Sequence, residues 1–195
     1  MSKRIILASG SPRRTELLHK VGIPHEIIVS NADENVTGNP IEQVEEIAMR
    51  KATAVMEGLL DKDDTIVIAA DTIVVSGDDI LGKPADAAEA FAMLKKLQGA
   101  NHEVYTGVVL LADGGDTQVF FDVAEVTFHP LSDETINAYI ATGEPFDKAG
   151  AYGIQEKGAA LVDRINGDFY TVMGLPVSKV CIALKELGYD FWHRG

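Results

Sequence analysis

Six charged residues in this sequence have types and spacing that could do chemistry, and four of them stand in settings that do not suit a charge. The stretch Leu7-Ala8-Ser9-Gly10-Ser11-Pro12-Arg13-Arg14 reads as a strand that turns into a helix, with Ser11 at the capping position and Pro12 at the first helical one. Two cations follow at once, at the end of a helix where the dipole favours anions. A bound phosphate would reverse that unfavourable term, because helix N–H groups would face it and Arg13 and Arg14 would add forked donors. The alternative is that both arginines pair with the plentiful surface acids. Asp71 interrupts an apolar run, where a carboxylate is costly to bury. It reads either as a general base or metal ligand at a strand end, or as a structural aspartate capping the strand or pairing with a lysine. Lys51 lies seven residues after Val44, four after Ile47 and four before Val55, and so shares their apolar helix face. It is either an ammonium aimed into a cleft or a lysine snorkelling at the rim of a core. Lys83, in Gly82-Lys83-Pro84 just after a hairpin turn and read alone as an ordinary surface lysine, and Lys148, beside the small residues Ala149-Gly150-Ala151, complete the set. A ligand could approach the backbone closely at the second of these, and a flexible loop is the alternative.

The elements that must carry these residues follow from periodicity. Residues 3–8 predict a buried first strand, 11–21 a helix stopped by Gly22, and His25 to Val29 a second strand. After a polar loop over 30–40, a helix is expected from 41 to 59. Residues 65–75 predict a central strand buried on both faces, ended by the turn Ser76-Gly77-Asp78-Asp79. A helix at 86–98, strands at 103–112 and 118–128, and a helix at 132–142 capped by Ser132 come next. A glycine-rich loop fills 143–158. Two short strands are expected to flank the turn Asn166-Gly167, and a last helix runs from 176 to 187. Alternating strands and helices followed by hairpins predict an α/β protein around a mixed sheet. No linker divides the chain, so one domain over 1–195 is expected, with room for two lobes.

Composition excludes several classes. The 195 residues are 46% hydrophobic and 24% charged, with a formal net charge of −13. Such a charge argues against nonspecific nucleic-acid binding, and any cations serving an anionic ligand must be gathered in one place. The single cysteine, Cys181, excludes an intramolecular disulfide and sits on the apolar stripe of the last helix, where a core role is expected. The basic start Met1-Ser2-Lys3-Arg4 leads into too short an apolar run for a signal peptide, and no run reaches the ~20 residues of a membrane span. A soluble cytoplasmic protein is the expectation. There is no Walker-type loop, dinucleotide fingerprint or nucleophile elbow, and histidines 19, 25, 102, 129 and 193 lack metal-ligand spacing.

Taken together, "LASGSPRR", Lys51-Ala52, "ADTIV" (70–74), "GKP" (82–84), "DKAGAYGIQ" (147–155) and "INGDFYTVMGLP" (165–176) resemble the Maf family of nucleoside triphosphate pyrophosphatases, in order and over nearly the whole chain. Ala70 stands where many members have glycine. The resemblance implies a mixed sheet flanked by helices with a deep cleft between two lobes, as in Maf- and ITPase-like proteins, and a homodimer. It implies hydrolysis between the α and β phosphates, with Mg²⁺ or Mn²⁺ as cofactor.

In that pattern Asp71 is the general base, and Arg13, Thr72 and Gln155 sort substrates in the manner of the branch acting on dTTP and UTP. A triphosphate brings about four negative charges, which Arg13, Arg14, Lys51, Lys83, Lys148 and a metal ion could offset. Ser9 could hydrogen-bond a phosphate oxygen, and the Gln155 amide could pair with a uracil or thymine edge. For Gln155, a loop amide bonded to backbone is the alternative. Asp33 and Glu34 match an acidic pair of the family, Glu34 having a metal-related role beside Asp71. The family's other reputation, inhibition of septum formation, gives the competing expectation of a regulator acting through partners or nucleic acid. Pyrophosphatase action on purines such as ITP is a third, against which Gln155 argues.

Overall fold

The computed structural model describes residues 3–190 and Trp192; Met1, Ser2 and His193, which enter the readings above, lie outside the described residues. The elements are β1 (Arg4–Leu7), α1 (Pro12–Lys20), β2 (Glu26–Ile27), α2 (Pro40–Gly58), β3 (Thr65–Ser76), β4 (Asp79–Leu81) and α3 (Ala87–Leu97). These are followed by β5 (Asn101–Ala112), β6 (Thr117–Phe128), α4 (Asp133–Ile140), β7 (Val162–Asn166), α5 (Phe169–Met173) and α6 (Val177–Glu186). The strands form one seven-stranded sheet in the order β2-β1-β3-β5-β6-β7, with β4 paired to β3. β1 runs parallel to both β2 and β3, whereas β4 and β7 pair antiparallel with β3 and β6. The sheet is therefore mixed and the fold is α/β, as the sequence implies.

Two compact units divide the chain. One comprises Met1–Asp71, Thr106–Asp122 and Gly174–Gly195, and the other Thr72–Tyr105 and Val123–Met173. In the first unit Ile6 of β1, Ala8 just after it, Val67 and Ala69 of β3, and Val109 of β5 pack on Ala48, Ala52, Val55 and Met56 of α2. The alternate residues Ile5, Leu7, Ile66 and Ile68 point the other way and are buried as well, which is why these strands read as unbroken apolar runs. Helix α2 starts where a capping box fixes it: the Asn39 side chain accepts from Glu42 N, Glu42 returns the bond to Asn39 N, and Pro40 takes the first helical position. Against β5 it rests on Gly107, where an added Cβ would lie 2.6 Å from the carbonyl carbon and oxygen of Val44.

The second unit has its own core, built from Val74 of β3, Ala90, Met93, Leu94 and Leu97 of α3, Phe128 of β6, and Ile136, Tyr139 and Ile140 of α4. Asp86 and Ser132 cap the two helices by accepting from Glu89 N and Thr135 N. The glycine-rich segment is not open coil: it winds through short 3-10 turns at Glu144–Asp147, Ala149–Ala151 and Lys157–Leu161.

Three expectations are corrected. The Asn166-Gly167 pair does not join two strands. Only β7 precedes it, paired to β6, and the chain then enters α5 because the Asp168 carboxylate accepts from Tyr170 N. Gly167 (φ 135°) is required there for another reason, since its Cβ would lie 2.8 Å from the Cα of Ala124. The expected strand from His25 to Val29 shrinks to the two exposed residues of β2. Cys181 is only half-buried on α6, although that burial is enough to push its thiol pKa up. Among the described residues no helix is long and apolar enough to cross a membrane.

Candidate active site

Alternation along β3 places Asp71 on the same side as Val67 and Ala69, which pack against α2. Lys51 occupies the inward stripe of α2, between Ala48 and Val55. The two side chains therefore meet: Lys51 Nζ donates to Asp71 Oδ1 at 2.9 Å, with side-chain exposures of only 11% and 13%. The same ammonium lies 3.1 Å from Glu34 Oε1. The loop before α2 presents Glu34, and Arg50 holds that loop by donating Nη1 to the carbonyls of Asp33 and Asn35, while its Nε donates to Glu46. The acidic pair divides its work. Glu34 faces Lys51, whereas the Asp33 carboxylate accepts from Asn35 N and Nδ2, bonds that hold its pKa below the usual carboxylate range.

Arg14 adds a second group to this unit. It is buried, donates Nε to Gly174 O at 2.8 Å and Nη1 to Ser9 Oγ at 3.1 Å, and Ser9 Oγ also accepts from Ser11 N. Burial lowers the Arg14 pKa, Asp71 and Glu34 oppose that shift, and Arg13 adds to it, so all four groups lie within electrostatic reach. The question set by the tandem arginines has a mixed answer. Ser11 makes no side-chain cap, and Arg14 reaches back to the Gly174 carbonyl and the Ser9 hydroxyl.

The other expected site residues belong to the second unit. Thr72 follows Asp71 on β3 and is half-buried. Lys83 is exposed, and its neighbour Gly82 accepts from Gly150 N at 3.0 Å, which ties "GKP" to "DKAGAYGIQ". Lys148 has a 12% exposed side chain whose Nζ donates to Glu144 O and Asp147 Oδ1, both at 2.7 Å. Its stem crosses Gly153 so closely that a Cβ there would sit 2.5 Å from Lys148 Cε. Gln155 is half-buried in the bend between Gly153 and the turn Lys157–Leu161.

Sequence reasoning missed the residues that brace these loops. Tyr139 and Glu144 bond to the backbone around Gln155, and His102 Nε2 lies 2.8 Å from Tyr152 OH. Burial pushes the His102 pKa down to about 4, so the ring is neutral at neutral pH. The available signals were Tyr139 sharing the inward face with Ile136 and Ile140, and His102 alternating in phase with Val104 along its strand; neither names a role.

For a metal, the described residues offer no group of three or more His, Cys, Asp or Glu. They do offer Asp71 and Glu34, two hard oxygen donors that share one ammonium. That pair fits Mg²⁺ or Mn²⁺, since such ions are usually held by one or two carboxylates together with substrate phosphates and water.

A family model described as Maf-like protein matches residues 4–187. A relative from Bacillus cereus named dTTP/UTP pyrophosphatase is 50% identical over 193 residues, covering 98% of this chain and 93% of its own. One of the same name from Bacillus anthracis is 49% identical over 193 residues, covering 98% and 99%. Among solved structures, a HAM1 protein from Coxiella burnetii aligns with a TM-score of 0.48 at 16% identity, covering 94% of this chain and 99% of that one.

Proposed function

The chain belongs to the Maf-like family, and on that premise we propose that it is a nucleoside triphosphate pyrophosphatase acting on dTTP, UTP and modified pyrimidine triphosphates. The observation that carries this reading is the half-identity, along nearly the full length of both chains, with a dTTP/UTP pyrophosphatase. The Lys51–Asp71 pair supports it chemically. Water attacks the α-phosphorus, the bond from that phosphorus to the bridging oxygen breaks, and pyrophosphate leaves with the electron pair. Asp71 takes the proton of the attacking water on Oδ2, while Lys51 holds Oδ1 and fixes the carboxylate plane. Lys51 also keeps Asp71 and Glu34 together without net repulsion. Mg²⁺ or Mn²⁺ held by Asp71 and Glu34 would supply charge neutralisation at the phosphates.

Arg13, Arg14, Lys83 and Lys148 bind phosphate oxygens in this proposal, with Ser9 as a further donor. Thr72 and Gln155 read the base together with Arg13, the Gln155 amide offering one donor and one acceptor to a uracil or thymine edge. The proposal extends to a homodimer in the cytoplasm. A regulator working only through partners has no use for a carboxylate held by a lysine within a buried strand.

The test is a panel of dTTP, UTP, CTP, ATP, GTP and ITP with Mg²⁺ or Mn²⁺, scored for pyrophosphate against orthophosphate. Pyrophosphate release led by dTTP and UTP is expected. Orthophosphate release, or a purine at the head of the ranking, overturns the reading.

A further inference from the structure

Gln155 is one residue in a loop, and a side chain can discriminate bases only as sharply as its backbone is fixed. The second unit fixes that backbone with two side chains. Tyr139, 4% exposed among the core residues of α4, accepts from Gly153 N at 3.1 Å and donates to Glu144 Oε1 at 3.0 Å. Glu144 in turn accepts from Gly158 N on Oε1 and from Lys157 N on Oε2, each at 3.1 Å. The three amides so held, at positions 153, 157 and 158, bracket Gln155 on both sides. Packing closes the same knot. A Cβ at Gly158 would lie 2.1 Å from Gly153 O and 2.7 Å from Tyr139 OH. The main chain of Glu144 also accepts from Lys148 Nζ at 2.7 Å, so a phosphate-binding candidate and a base-reading candidate share one anchor.

We propose that Tyr139 and Glu144 are a positioning pair for base discrimination: the phenol and the carboxylate lock the segment 153–158 and so set the pose of the Gln155 amide. Neither side chain is asked to touch the substrate. The inference rests on Gln155 reading the base, as proposed above, but not on which base heads the ranking. A tie that merely stabilised the fold would change melting temperature and leave the order of substrates alone. A positioning pair changes that order.

Tyr139→Phe removes one oxygen and keeps the ring; Glu144→Gln keeps the shape but turns an amide donor toward one of the two backbone N–H groups or the phenol. Both variants, Gln155→Ala, and the double variant Tyr139→Phe/Gln155→Ala are run against the triphosphate panel, with hydrogen exchange on the same proteins. In Tyr139→Phe and in Glu144→Gln, kcat/KM for the preferred base over the next is expected to fall about tenfold, with KM rising more than kcat falls. Exchange at Gly153, Lys157 and Gly158 is expected to quicken about tenfold while the amides of α4 keep the parent rate. Gln155→Ala is expected to lose the same discrimination, and the double variant to lose no more than either single one. A parent ranking headed by a purine sinks the dTTP/UTP reading and leaves this test intact, because the shift is measured against whatever ranking the parent shows. Rankings within twofold of the parent in both single variants, or additive losses in the double variant, overturn the positioning role. Should Tyr139→Phe fail to fold, Glu144→Gln decides by the same two readouts.

Discussion

Replacing Gly107 with alanine tests how closely α2 must lie on the sheet for Lys51 to reach Asp71. The new Cβ would sit 2.6 Å from the carbonyl carbon and oxygen of Val44 and 2.9 Å from Glu45 N. Ordinary contact begins at 3.4 Å, so α2 has to withdraw by about 0.8 Å, the difference between 3.4 and 2.6 Å. These are backbone atoms inside a helix, and no rotamer change relieves them. Lys51 lies two turns farther along the same helix, where its 2.9 Å bond to Asp71 stretches toward about 3.7 Å under a rigid withdrawal. The lysine stem can follow part of that movement, but Ala48, Ala52, Val55 and Met56 move with the helix and loosen the core. Overpacking of this kind costs about 1–3 kcal/mol. For a chain of this length that lowers Tm by roughly 2–4 °C per kcal/mol. A misplacement near 1 Å in a catalytic pair costs up to about 10²-fold in rate. The assay is thermal melting together with kcat/KM for dTTP, with Gly58→Ala as the companion. Gly58 ends the same helix and has nothing within 4 Å of its Cβ direction, so that variant should melt at or above the parent temperature. If Gly107→Ala melts and turns over like the parent, the close approach does not hold the lysine on its carboxylate.

Asp71→Asn should nearly abolish pyrophosphate release while dTTP still binds, read by kcat and by equilibrium titration; turnover at the parent rate removes Asp71 as the proton acceptor. Acid should weaken the second unit through His102. Its folded pKa of about 4 lies below the ordinary histidine value of 6.5, so the unfolded chain binds more protons between those values and stability falls as pH drops from 6.5 to 4. The full loss is about 3 kcal/mol at about 1.4 kcal/mol per pKa unit. Urea unfolding at neutral pH and at about pH 4.5 should therefore show a steeper loss for the parent than for His102→Gln; equal losses would place the ring in a more solvated setting than the structure shows.

Much of the first unit's site was legible because two periodicities cross there. The helical spacing from Val44 through Ile47 to Val55 put Lys51 on an inward face, and the apolar run around Asp71 marked a carboxylate in a buried strand. Each misfit supplies the explanation of the other. What the sequence hid is what depends on distant chain. Arg14 is anchored to Gly174, 160 residues away, and no local pattern near an arginine reports such a partner. The same holds at Asn166-Gly167: the dipeptide signals a hairpin, but β7 had already found its neighbour in β6, and Asp168 was free to start a helix instead. In the 143–158 segment glycines suggest looseness. Two of them are there because Lys148 crosses Gly153 and because Gly158 meets Gly153 O and Tyr139 OH, which is tight packing that looks like flexibility in one dimension.

The net charge of −13 and the proposed binding of a polyanion are compatible for a reason visible in each unit separately. Lys51 holds two carboxylates, Lys148 holds Asp147 and a carbonyl, and Arg14 holds the Gly174 carbonyl and the Ser9 hydroxyl. Lys51 and Lys148 thus face carboxylates before any phosphate arrives, which offsets the cost of their partial burial, whereas burial still lowers the pKa of Arg14. The same contacts restrain long side chains that would otherwise lose rotamer freedom on binding. An incoming phosphate must then displace a carboxylate or share its cation. That lowers affinity for any single phosphate group and favours ligands with several charges to place at once. In the proposed reaction a triphosphate meets that condition better than the monophosphate product does, so the acidic neighbours of these cations would assist product release as well as folding.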